Sequence, residues 1–338
     1  MTIKQRYRRF IKRALSTTLK NVGLVEKRLK KGGVIILMFH KIDEILDQLP
    51  LTIPPSVFDQ ILTELESRSE IVPIESILDD NGALITDKEV KFVITFDDGY
   101  KNNYEKAYPI LKKHNAPAII YLSYGHIQND LMFWYERLSS GIRQTCKKRV
   151  NLTDIGSENF TLSTPADKDF AVIKLNQWLK LFSLEKRMRL IDTILDRLEV
   201  AETKLELSPM LSWEMIKEMQ GNQITFGSHT ITHPILSRED PEIIEKEIVE
   251  SRQLIEDKIG KPVTGFAYPN GTVQDYNELA LRYVRKTYFH ACTTETGINH
   301  EGQDPHQLLR INVDPGMCMD ENGKFLPNLF WAKLTELI

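Results

Sequence analysis

Seven short apolar runs, separated by stretches with helical periodicity, constrain this chain more than any other feature. The runs fall at 34–39, 91–95, 118–122, 224–227, 263–268, 290–293 and 310–313. Between them, apolar residues recur at three- and four-residue steps. Phe58, Ile61, Leu62 and Leu65 share one face, and Ile243, Ile244, Ile248, Leu254, Ile255 and Ile259 share another. The second stretch opens with Asp240-Pro241 and carries Glu242 and Glu245. Proline suits a first helical turn, and acids suit the positive end of the helix dipole. Strand–helix alternation predicts an α/β fold around a parallel sheet, open or closed into a barrel. With 41% hydrophobic and 27% charged residues among 338, the chain can bury a large core, which excludes disorder over most of its length.

One stretch breaks the rhythm. Residues 135–210 contain no clear strand, a polar segment at 151–168, and a helical run bearing Phe170, Ile173, Leu175, Trp178, Leu179, Leu181 and Phe182. This predicts a helical insertion between two strands, placed to shape access to whatever lies at the strand ends.

The formal charge of −3 conceals an asymmetry. Residues 1–31 hold eleven Lys/Arg against Glu26 alone, a net +10 that leaves −13 on residues 32–338. An acidic body argues against a nucleic-acid partner. In the arm, Phe10, Ile11, Leu15, Leu19, Val22, Val25 and Leu29 recur with helical spacing between cations. Such a basic amphipathic helix either lies on an anionic membrane surface or packs on the body. No apolar run approaches the length of a membrane span or a signal-peptide core. Cys146, Cys292 and Cys318 are odd in number and far apart, which fits reduced thiols. Together these features predict a cytoplasmic protein, with the arm as its link to the inner membrane face.

Two segments carry chemistry. In Val93-Ile94-Thr95-Phe96-Asp97-Asp98-Gly99-Tyr100, an apolar strand runs into adjacent carboxylates. Adjacent acids repel, so they are either solvated in a turn or compensated by something positive, such as a divalent metal. In Gly227-Ser228-His229-Thr230-Ile231-Thr232-His233-Pro234, two histidines lie four apart, which on a helical turn places both on one side, although eight histidines in the chain leave chance pairing open. Together, one carboxylate and two imidazoles make a three-ligand set with an open position, as catalytic metals have, and leave the second carboxylate free as a base.

Thr95-Phe96-Asp97-Asp98-Gly99 followed by His229-x-x-x-His233-Pro234 resembles the first two motifs of the polysaccharide deacetylase family, the NodB-homology domain. Leu211-Ser212-Trp213-Glu214 and Leu37-Met38-Phe39-His40 resemble the same family, and the likeness covers most of 32–315 apart from the insertion. The resemblance implies a distorted (β/α) barrel of about seven parallel strands in one domain, 32–338, with the helical insertion at 135–210. It implies Asp98, His229 and His233 as metal ligands and Asp97 as the base that takes a proton from the attacking water. A divalent ion fits that chemistry by activating water and polarising an amide carbonyl. Zinc leads the expectation, with cobalt, nickel and manganese also compatible with mixed N/O ligands.

The third family motif, commonly Arg-x-Pro-Tyr-Gly, corresponds to Ala267-Tyr268-Pro269-Asn270-Gly271. Its turn supplies a backbone donor for the oxyanion, so Tyr268 and Asn270 are expected beside substrate. Ala267 stands where the arginine that orients the base is usual. Arg310, opening the last strand, is the candidate replacement, expected to pair with Asp97; the alternative is a structural arginine. The final motif, a Leu-x-x-His carrying the general acid, has no clean match. His300 and His306 fall in a polar loop, and His40 at a strand end is the better candidate for substrate contact. Trp134, in Phe133-Trp134-Tyr135, offers either a sugar-stacking face or core packing. No Gly-x-Ser-x-Gly elbow and no phosphate-cradling loop is present.

These readings predict a metal-dependent hydrolase that removes an N-acetyl group from an amino sugar of a polysaccharide or lipid-linked glycan intermediate in surface-glycan biosynthesis. Two alternatives stand beside it: a deformylase or O-deacetylase of the same fold, and a non-catalytic glycan-binding barrel.

Overall fold

The computed structural model describes residues 23–44, 51–86, 88–201, 205, 208–221 and 223–337. Seven parallel strands form one curved sheet: β1 (Gly33–Phe39), β2 (Val90–Phe96), β3 (Ala118–Leu122), β4 (Ile224–Ser228), β5 (Gly265–Ala267), β6 (His290–Cys292) and β7 (Ile311–Asn312). Their order is β6-β5-β4-β3-β2-β1-β7. Leu308, just before β7, bridges in parallel to Cys292 of β6, so the 308–312 segment touches both edges and draws the sheet into a distorted barrel.

Both faces are covered, which is why the strands read as unbroken apolar runs. All seven residues of β1 are buried. Alternate residues enter different cores. Ile35, Leu37 and Phe39 pack outward with Phe58, Ile61 and Leu62 of the helix Pro55–Glu66. Val34 and Ile36 join Val93, Ile119, Tyr121, Ala267, Cys292 and Leu308 on the inner face. Gly227 makes this interior possible: a Cβ there would lie 2.4 Å from the Tyr121 ring.

The stretch after β3 has its own core. Leu138 and Ile142 of α1 (Trp134–Gln144) meet Val172 and Leu175 of α2 (Pro165–Leu179) and Ile191 and Ile194 of α3 (Leu184–Leu198). This stretch is not strand-free, as the sequence pattern suggested. Arg149–Asn151 and Asn159–Thr161 pair antiparallel, with Val150 opposite Phe160. Each strand buries only its central residue, too short a signal for period two to register. Helix α2 also departs from its apolar pattern, because Phe170 and Ile173 are exposed while Ala171 and Val172 are buried.

Of the basic arm, residues 1–22 lie outside the described residues. Its end forms a helix, Leu24–Leu29, that packs on the body through Val25, with Arg28 paired to Glu336 and Glu26 to Arg68. No helix among the described residues is long and apolar enough to cross a membrane. The three cysteines are free; Cys292 and Cys318 are buried, but Cys146 is exposed.

Candidate active site

The carboxylate pair stands at the end of β2, where a parallel barrel presents its chemistry. The Asp97 N–H donates to Phe39 O of β1 at 3.0 Å, which extends the ladder by one residue. The chain then turns through left-handed Asp98 (φ 77°) and Gly99 (φ 85°). A non-glycine residue in that region is uncommon and recurs at functional sites. The turn sends the two carboxylates to different partners.

Asp97 faces Arg310. Nη1 donates to Oδ1 and Nη2 to Oδ2, each at 2.7 Å, while Nε donates to Thr293 O at 2.8 Å. Both side chains are buried. Burial alone would raise the Asp97 pKa, but the Arg310 guanidinium, helped by His229, holds it down to about 2. The guanidinium is itself held more firmly protonated by this carboxylate, against the effect of burial. Ala267 contributes only a methyl group to the inner face.

Asp98 has no such counter-charge. Burial, reinforced by the neighbouring Asp97, pushes its pKa up to about 8. Its Oδ2 accepts from the Tyr135 hydroxyl at 2.9 Å, and that hydroxyl lies 2.9 Å from Tyr100 Oη. Oδ1 is buried with no hydrogen-bond partner. Nε2 of His229 and Nε2 of His233 each lie 3.6 Å from this Oδ1. That is too long for a hydrogen bond, yet near the separation of two ligands each about 2 Å from a shared ion. Within this set, one ligand atom from each residue lies within 4.8 Å of the others.

The histidines reach this geometry through a loop, not the helical turn inferred from their spacing. Thr230 (φ 66°) and His233 (φ 54°) are left-handed. Buried Glu247 holds the loop by accepting from Ile231 N at 2.7 Å and Thr232 N at 2.9 Å. It does so from a π-helical turn, Lys246–Glu250, a feature often found near functional sites. His229 donates Nδ1–H to Ala267 O at 2.7 Å, which leaves the Nε2 lone pair facing Asp98. Burial lowers the pKa of both imidazoles and so favours the neutral, ligating form. An orphaned carboxylate oxygen, two neutral imidazoles and an uncompensated buried acid are the donor set a divalent cation requires, so the residues fit a metal.

Asp97, Asp98, His229 and His233 open onto a cavity of about 270 Å³. Of the remaining residues expected at the site, His40, Trp134 and Asn270 line it. Burial drops the His40 pKa to about 4 despite the opposing Asp97 charge. Asn270, left-handed at φ 60°, has a buried Nδ2 without a partner. Tyr268 is a correction. Ala267 faces inward, so strand alternation turns Tyr268 outward, where it stacks on Tyr276 with ring centroids 4.1 Å apart and donates to His306 O. His306 Nε2 lies 3.0 Å from Tyr288 O, and neither it nor His300 lines the cavity.

Sequence reasoning missed four residues here. Tyr135 stood beside Trp134 without being singled out. Asn176 and Lys180, which line the cavity from the insertion, are spaced i, i+4 as polar residues within an apolar helical run. Glu247 carried no signal, because nothing in one sequence marks a carboxylate aimed at a distant loop.

Residues 85–291, more than half of the chain, match the polysaccharide deacetylase family model. A Bacillus subtilis (strain 168) protein named for the same family, YxkH, is 25% identical over 306 residues, covering 89% of this chain and 78% of its own. Among solved structures, the Streptococcus pyogenes deacetylase PplD in complex with acetate is similar in fold: TM-score 0.53, 23% identity, 84% of this chain and 94% of that one. IcaB from Ammonifex degensii is similar too: TM-score 0.54, 19% identity, with 84% and 93% covered. The matched segment contains both carboxylates and both histidines of the cavity, and the chain belongs to the polysaccharide deacetylase family.

Proposed function

We propose that this protein is a metal-dependent hydrolase that removes the N-acetyl group from an amino sugar of a polysaccharide or lipid-linked glycan intermediate. The single observation that carries the reading is the convergence of two imidazole Nε2 atoms on the unpartnered Oδ1 of Asp98, each at 3.6 Å, beside an ionised second carboxylate. Family membership and the fold it shares with a deacetylase solved in complex with acetate support it.

Asp98, His229 and His233 would hold the cation. When bound, a divalent ion supplies electrophilic activation of the acyl carbonyl and acidification of the attacking water. Asp97, kept ionised by Arg310, accepts a hydrogen bond from that water and orients it. A carboxylate with pKa about 2 binds the proton weakly, so the proton must pass on. His40 lines the same cavity as a neutral imidazole and is the residue we assign to carry it to the leaving amine. The turn at Asn270 provides polar contact to substrate. Trp134 and Tyr135, where the helical insertion begins, line the cavity beside the reacting groups.

The surface-glycan setting rests on that substrate class. The basic arm is read as a contact with the anionic inner face of the membrane. Acetate release from an N-acetylglucosamine oligomer tests the activity: stripping the protein with a chelator should abolish release, and zinc or cobalt should restore it. Release that persists in fully stripped protein would contradict the metal, and no release from any N-acetylated sugar would contradict the activity.

A further inference from the structure

Amide hydrolysis does not explain the part of the cavity wall that the insertion builds. Trp134, Asn176 and Lys180 line it. Trp134 Nε1 and Asn176 Oδ1 are buried and have no hydrogen-bond partner. Lys180 follows Asn176 by one turn, on the same helix face; its N–H donates to Asn176 O. The Lys180 ammonium has no ion-pair partner among the described residues. Two buried polar atoms without partners, beside a half-buried ammonium, are a costly arrangement for packing alone. A ligand that satisfies them removes the cost.

The wall is also held rigidly. Arg187 is fully buried. Its Nε donates to Leu179 O at 3.1 Å and its Nη2 to Phe182 O at 2.8 Å, so it clamps the turn that carries Lys180 from both sides. Its guanidinium lies 4.7 Å from the centre of the Trp134 ring, which fixes the indole as well. The other charged groups acting on this pair are Asp275 and Glu239. Asp275 is engaged by Thr272 through its N–H at 3.0 Å and its hydroxyl at 2.6 Å, and Glu239 accepts from Leu184 N at 2.7 Å. Burial weakens the charge on Lys180, and an anion seated against it reverses that penalty.

We propose that Trp134, Asn176 and Lys180 form a subsite that takes an anionic group, a carboxylate or a phosphate, attached next to the N-acetylated amino sugar. Lys180 meets the anion, Asn176 Oδ1 accepts from a sugar hydroxyl, and Trp134 Nε1 donates to a sugar oxygen. The proposal rests on reading the cavity as an amino-sugar site. A uronic acid neighbour and a sugar phosphate present the same chemistry, and the experiment separates them.

Binding is measured by calorimetry on metal-loaded full-length protein in the Asp97→Asn background, so that turnover does not interfere. The probes are neutral N,N′-diacetylchitobiose, N-acetylglucosamine 1-phosphate, and a glucuronate–N-acetylglucosamine disaccharide. At least one anionic probe should bind about tenfold tighter than the neutral one, the size of one charge-assisted contact. The tighter one identifies the source. Lys180→Met should erase the preference and Lys180→Arg should keep most of it, while Asn176→Ala should weaken all three probes. Equal binding of neutral and anionic probes, a preference unchanged in Lys180→Met, or no binding of any probe overturns the subsite. Should Lys180→Met fail to fold, Lys180→Gln replaces it under the same criteria. The unmutated protein separates the two claims. Acetate release with no anionic preference sinks only the subsite, whereas a Lys180-dependent preference without acetate release sinks only the hydrolase reading.

Discussion

Arg310 grips Asp97 at both ends, each guanidinium nitrogen 2.7 Å from its own carboxylate oxygen, across 213 residues of sequence and between the ends of two strands. The pair fixes the position and the charge of the carboxylate nearest the ligand set. Arg310→Ala leaves a buried carboxylate alone, and removing one member of such a pair costs about 3–5 kcal/mol. The pH dependence carries a sign. Because the folded pKa of about 2 lies below the ordinary value of 3.8, the pair stabilises above about pH 4 and is lost as pH falls toward 2. Urea unfolding of Arg310→Ala should show the loss at pH 7 and lack this acid limb; Arg310→Lys, which keeps the charge without the fork, should fall between.

Metal binding should be linked to pH through Asp98. Its folded pKa is raised, so in metal-free protein this carboxyl costs stability increasingly from about pH 4 up to about pH 8. A bound cation needs the ionised form and removes that cost. The rise in melting temperature on adding zinc should therefore grow from pH 5 to pH 8. A rise that is constant or shrinks over that range would show that Asp98 is not the ligand.

Tyr135 brings the insertion to the ligand set. Its hydroxyl occupies Oδ2 of Asp98 and leaves Oδ1 for a cation. Its neighbour Glu136 forms a buried ion pair with Lys41, which anchors the same helical turn to the barrel. Tyr135→Phe should weaken metal binding about 10–100-fold, as loss of a partner behind a ligand does. Competition titration against a chromogenic chelator reads this directly.

Glu247 plays the corresponding part for the histidine loop. Glu247→Ala strands two N–H groups, at about 1–3 kcal/mol each. It should lower both melting temperature and metal affinity, whereas Glu247→Gln, whose amide oxygen can still accept from both N–H groups, should lose less.

Much of this was readable from residues in order along the chain. The strands showed because parallel strands buried on both faces are continuous apolar runs; the run expected at 118–122 coincides with β3, Ala118–Leu122. Asp97, Asp98, His229 and His233 showed because each pair is local in sequence. Arg310 became visible once Ala267 left a charge missing at its usual place. Partners that no motif marks were not legible. Tyr135 and Glu247 act across 37 residues and across 15–16, through turns whose left-handed conformation at Asp98, Thr230 and His233 decides which side chains meet. The side chain of Tyr268 was misplaced because its direction depends on which neighbour, Ala267, faces inward.

In the proposed chemistry, Asp97 works on water beside a cation held by Asp98, His229 and His233. The most direct measurement pairs metal content with acetate release from an N-acetylglucosamine oligomer in the unmutated protein and in Asp97→Asn. Both should hold about one divalent ion per chain, and release should fall at least about 100-fold in the variant, the scale of general-base catalysis. Metal absent from the unmutated protein, or undiminished release by Asp97→Asn, would contradict it.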